Sequence, residues 1–180
     1  MKNKSDLLSA PIGSLVFKLA IPNMLTMSMW VITFIIEGWY IGQLGVVPLA
    51  GLALGFPMLF LLLMLSAGTI GGAITGLVAQ KIGANDIKAA EEIALSGLIL
   101  TICLGVISAI IFLIFGEIIY SSLGAKNEVL EEVLRYSNVL FFGSFSIWIA
   151  NGMAGVVRAT GNMFIAALFL CLGSLVQIIL

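Results

Sequence analysis

From Gly38 to Gln80 the chain passes through 43 residues without a charged side chain. Wound as one α-helix at ~1.5 Å per residue, they would extend roughly 64 Å, about twice the ~30 Å hydrocarbon thickness of a bilayer. A turn must interrupt the stretch, and Gly42, Gly45 and Pro48 mark it. The rest of the chain has the same character. Apolar residues make up 61% and charged residues 9%, against about 25% charged in a soluble domain. Mean hydropathy is +1.21. So few charges cannot cover the outside of a soluble fold, whereas lipid accepts an apolar exterior. The fold class is therefore an all-α integral membrane protein of about five transmembrane helices, in contact with the lipid bilayer, and a soluble enzyme is excluded.

Composition removes further classes. A net charge of −1 offers no basic surface for nucleic acid. The chain has no His, which removes the commonest general base and metal ligand. No Gly-Lys-Ser/Thr ending of a phosphate-binding loop occurs, so an ATP-driven motor and a nucleotide cofactor are not expected. Cys103 and Cys171 fall inside apolar runs and read as small core residues, not as a redox pair. Lys2 and Lys4 resemble the start of a signal peptide, but Lys18 interrupts the short apolar stretch that follows and the run continues into a full span.

The spans read as approximately 12–41, 47–80, 87–120, 128–157 and 163–180. Asn85 and Asp86 are N-cap types for the third, and Gly124 is placed to end it. Glu128, Glu131, Glu132 and Arg135 open the fourth as a solvated start, with Glu131 and Arg135 at i,i+4 spacing. Gly68, Gly72 and Gly76 form two GxxxG steps, expected to pack a neighbouring helix. Met24, Met27, Met29, Met58 and Met64 read as lipid-facing or core residues. With a cytoplasmic N-terminus, Lys2, Lys4, Lys18, Lys81, Lys88 and Arg158 lie inside and only Lys126 and Arg135 outside, which favours that orientation. Arg158 then serves as a positive-inside anchor. A chain that stops on Gln177-Ile178-Ile179-Leu180 without a polar tail reads as truncated.

One acidic charge lies within the first span. Glu37 shares a face with Asn23, Thr26, Trp30, Thr33 and Tyr40 at spacings of three and four. An ionisable residue in a membrane helix marks function by default. At the closed end of a wet cavity, Glu37 would bind a proton or Na⁺. It also lies roughly 28 Å along the helix from Lys18, so a plain interfacial position stays open. Pro22 lies in the same helix and permits a kink, or simply sits near the helix start.

Four segments resemble the N-terminal part of the multidrug and toxic compound extrusion (MATE) transporters. They are Leu19-Ala20-Ile21-Pro22, the run from Glu37-Gly38-Trp39-Tyr40-Ile41-Gly42-Gln43-Leu44-Gly45 to Pro48-Leu49-Ala50-Gly51, the loop Ile82 to Glu91, and Val157-Arg158-Ala159-Thr160-Gly161-Asn162. The resemblance implies two six-helix lobes that rock to alternate access. Residues 1–180 would form an incomplete N-terminal lobe that lacks C-terminal helices and a second lobe. It implies export of small cationic or amphipathic compounds across the cell membrane, coupled to H⁺ or Na⁺. Glu37 stands where many members carry Asp, and Pro22 where some members bend the helix upon protonation. Gln177 stands where those members carry Asn, and the next acidic position of the family site would lie past Leu180. Two other readings remain. A lipid-precursor flippase would line its cavity with cations, and no Arg or Lys occurs between Lys18 and Lys81. A non-transporting remnant or assembly partner fits a five-helix chain taken literally.

Overall fold

The computed structural model describes residues 11–179, apart from the side chains of Ser14, Leu15, Lys18 and Leu19. Lys2, Lys4, the Lys18 side chain and Leu180, used above for orientation and chain end, lie outside the described residues. Helix α1 runs from Ile12 to Gln43, with Pro22 inside it. Its C-terminus closes through the Leu44 N–H on the Ile41 carbonyl at 3.0 Å. Gly45 then turns the chain at φ +123°, a left-handed value that a side chain would strain.

The charge-free run continues as α2 (Val46–Leu63), a π-helical turn (Met64–Ile70) and α3 (Gly71–Gly83), together one 38-residue apolar span. The π turn widens the spacing along the buried face. Gly51, Leu52, Gly55, Leu62 and Ser66 are buried above and within it, and Gly71, Ile74 and Val78 below it. Regular α spacing from Ser66 leads to Thr69 and Ile70 and then to Ala73 and Ile74, and does not include Gly71. The wider π turn absorbs the extra residue and brings Gly71 onto the face that Ser66 occupies. This corrects the expected GxxxG packing. A Cβ added at Gly68, Gly72 or Gly76 would meet nothing within 4 Å, whereas one at Gly155 would lie 2.7 Å from the Gly71 carbonyl. Within this bundle Gly71 and Gly155 make a close backbone approach.

Asp86 caps α4 (Ile87–Ser122), accepting from the Ala89 N–H at 3.1 Å, while Asn85 takes a left-handed turn at φ +62°. Gly124 follows α4 at φ +97°. The fourth expected span divides into α5 (Asn127–Phe142) and α6 (Ser144–Ala159), bent by 46°. The Gly143-Ser144 junction and the Ser146 hydroxyl, which donates back to the Gly143 carbonyl at 2.7 Å, supply the kink. Helix α7 (Met163–Ile179) starts where the Ile165 N–H donates to the Asn162 side chain at 3.2 Å. With 17 residues it is shorter than a full span over the described residues. Among the described residues, three helices are long and apolar enough to cross a membrane, or four if the bent pair is one span.

The α2–π–α3 span and the α5–α6 pair run side by side. Gly51 and Gly55 of α2 admit Val133 and Tyr136 of α5. Helix α4 packs on α5 and α6, and α1 lies chiefly against α7. Among the described residues the core has three centres: Leu62 with Phe141 and Trp148, Ile74 with Val78, Ala90 and Ala159, and Tyr120 with Ala125 and Val133. Phe112 stacks on Phe141 with ring centres 4.0 Å apart.

Two smaller expectations change. Cys103 is exposed on α4 and Cys171 half-buried, both free thiols, so neither is a fully buried core residue. Lipid-facing and core positions are equally apolar, which hides the difference in sequence. Arg135 pairs with Glu132 at 3.9 Å and not with Glu131. Both partners are within reach of a long side chain on one helix face. Arg158, in the last turn of α6, is half-buried.

Candidate functional site

Glu37 lies two turns before the end of α1 and is half-buried. Its carboxylate meets a side chain from another helix: the Tyr136 hydroxyl of α5 donates to Glu37 Oε1 at 3.0 Å. Tyr136 can reach because Gly55 has no side chain. A Cβ at Gly55 would sit 3.2 Å from the Tyr136 ring. The edge of the α1–α2 contact is closed by Phe34 on Phe56, with ring centres 4.1 Å apart.

On its other side Glu37 opens onto a cavity of about 380 Å³ between α1 and α7. Thr33, Ile36, Glu37, Tyr40, Ile41 and Gln177 line it. Thr33 is one turn before Glu37, and its hydroxyl donates to the Met29 carbonyl at 2.8 Å. That bond uses the Thr33 proton and leaves its oxygen free to accept. The cavity therefore joins one carboxylate to hydroxyl and amide oxygens, a set suited to a proton or a hard monovalent cation. Among the described residues no three His, Cys, Asp or Glu side chains gather to hold a transition metal.

Of the residues singled out in the sequence, the structure brings Thr33, Glu37, Tyr40 and Gln177 to this cavity. Asn23 is exposed, Thr26 buried and Trp30 half-buried elsewhere along α1. Asn23 lies fourteen residues before Glu37, roughly 21 Å along the axis, too far to share so small a space. Pro22 is buried, and the Thr26 hydroxyl donates to the Pro22 carbonyl at 3.0 Å. Two departures from the regular ladder thus meet in one turn: the missing N–H of Pro22 and a side chain competing for its carbonyl. Tyr136 escaped the sequence reading. It is 99 residues from Glu37, and no periodicity within α5 points to a partner on α1.

An acidic group facing a cavity of mixed polar and isoleucine lining inside a multi-pass helical bundle fits a membrane protein of the transporter class. The chain belongs to the MatE family, which it matches over residues 22–180. It is 28% identical to an FAD transporter of Shewanella oneidensis, over 100% of this chain and 40% of that protein. It is 29% identical to the probable multidrug resistance protein YoeA of Bacillus subtilis, over 66% of this chain and 26% of that protein. A crystal structure of a MATE protein in the straight conformation superposes with a TM-score of 0.89 at 32% identity, over 100% of this chain and 40% of that one. The chain thus spans about 40% of the length of the relatives it matches throughout.

Proposed function

We propose that this chain is the N-terminal part of a cation-coupled efflux antiporter working by alternating access, with Glu37 as the group that exchanges H⁺ or Na⁺. The observation that carries this reading is the Glu37 carboxylate, held by Tyr136 at 3.0 Å and opening onto a cavity lined by Thr33, Tyr40 and Gln177. A carboxylate held inside a bundle and open to one side can take up a cation from that side and lose it when access changes. Pro22 and Thr26 weaken the α1 ladder in one turn, which favours bending there once the Glu37 charge is neutralised. Small cationic or amphipathic compounds suit a cavity whose fixed charge is negative. The N-terminus lies in the cytoplasm and the helices cross the cell membrane, in keeping with the Lys and Arg distribution.

Likeness over the whole chain to an FAD transporter favours a second substrate class, an anionic flavin nucleotide. The cavity beside Glu37 has no Lys or Arg among its lining residues, so such a substrate would have to be held by another part of the protein.

The test is transport by the full-length protein in proteoliposomes, driven in turn by a pH gradient and a Na⁺ gradient. Glu37→Gln keeps the shape and removes the exchangeable charge. It is expected to abolish gradient-driven efflux while substrate-binding affinity persists. Full gradient-driven efflux by Glu37→Gln would refute the role of Glu37.

A further inference from the structure

Three buried polar atoms on α6 have no protein partner: Ser144 Oγ, Trp148 Nε1 and Asn151 Oδ1. Their residues are 0%, 3% and 2% exposed. Spacings of four and three place them on one face of the helix. That face lies along the α2–π–α3 span, where Trp148 packs on Leu62 and the Asn151 amide donates to Ser66 Oγ at 3.0 Å. Ser66 is fully buried and belongs to the π turn. The surroundings are otherwise apolar, with Leu104, Phe112 and Phe141 around Trp148.

Unmet hydrogen-bonding groups are costly inside a membrane bundle, because no bulk water reaches them. The three atoms have different demands. The Trp148 indole only donates, the Asn151 carbonyl only accepts, and the Ser144 hydroxyl does both. Water meets all three, since it accepts from Trp148 and donates to Asn151. A metal cation does not, because the indole N–H would point its proton at the charge. Ser144 and Asn151 are roughly 10.5 Å apart along the helix axis, so more than one molecule is required.

We propose that Ser144, Trp148 and Asn151 hold a short row of internal water molecules that completes the polar node begun by Ser66 and supports the π turn between α2 and α3. Buried water with two to four polar partners is a structural component in its own right. The site is separate from the Glu37–Tyr136 pair and does not depend on the transport reading.

The test uses the full-length protein in lipid nanodiscs with ¹⁵N-labelled tryptophan indoles, the Trp148 signal being assigned by its loss in Trp148→Phe. Cross-relaxation between each indole N–H and water is then measured. The Trp148 indole is expected to show a water cross-peak of the sign that marks long-lived contact, and Asn151→Leu is expected to remove it. Should Asn151→Leu fail to fold, Ser144→Ala is expected to weaken the cross-peak. A wild-type Trp148 indole without a water cross-peak would overturn the proposal. So would a cross-peak unchanged in every variant that folds.

Discussion

Tyr136 and Glu37, 99 residues apart, are joined by a hydrogen bond of 3.0 Å that ties α5 to α1. Tyr136→Phe removes the donor and keeps the ring that packs against Gly55. Interhelical hydrogen bonds in membranes average about 0.6 kcal/mol, and bonds to charged groups reach ~1.5–3 kcal/mol. We expect a loss of about 1 kcal/mol, seen as a lower thermal unfolding midpoint in detergent, together with slower efflux. Unchanged unfolding and unchanged efflux would mean that the bond contributes to neither.

Gly155 and Gly68 should respond oppositely to alanine. At Gly155 the new Cβ would lie 2.7 Å from a backbone carbonyl, which cannot swing aside as a side chain can. Forcing the helices apart is expected to cost about 1–3 kcal/mol. At Gly68 there is nothing within 4 Å, so Gly68→Ala should be neutral or stabilising by up to ~1 kcal/mol within this bundle. Paired unfolding curves check both, and equal effects would contradict the packing described.

Thr75 tests the same contact without adding volume. Its hydroxyl lies 2.7 Å from the Gly71 carbonyl and 3.0 Å from the Gly155 carbonyl. Thr75→Val should cost about 0.6 kcal/mol and at most ~1.7 kcal/mol, the mean and the maximum for membrane interhelical bonds. Thr75→Ser should retain most of the stability. A valine variant as stable as the wild type would show that the cross-helix bond is dispensable.

Asp86 caps α4 outside the apolar region through the Ala89 N–H at 3.1 Å. Asp86→Ala is expected to lower stability by about 1 kcal/mol and Asp86→Ser to restore most of it. Hydrogen exchange at the first turn of α4 would localise the effect, and exchange that does not accelerate in Asp86→Ala would rule out the cap.

Pro22 is expected to matter for movement more than for stability. Pro22→Ala restores a backbone donor to α1 and should stabilise the straight helix while slowing efflux. Spin labels on either side of residue 22 would report whether α1 bends. Equal bending in the proline and alanine proteins would remove Pro22 from the mechanism.

Much of this protein was legible residue by residue. The charge-free run forced a turn near Gly45, Asp86 announced a helix start, and Glu37 stood out because a carboxylate in an apolar span is costly. These features are local: they depend on helix rise, bilayer thickness and the chemistry of one or two neighbours. The GxxxG steps misled because lipid and protein interiors are both apolar, and spacing cannot tell which face of a helix meets which. The π turn brings Gly71, five residues after Ser66, onto the buried side, a spacing that an assumed period of 3.6 does not give. Sequence alone therefore determined that the chain is a bundle of membrane helices with an acid, Glu37, inside the first of them. Tertiary structure alone decided that Tyr136 holds that acid and that Gly71 meets Gly155. Each of those contacts joins side chains that only helix packing brings together.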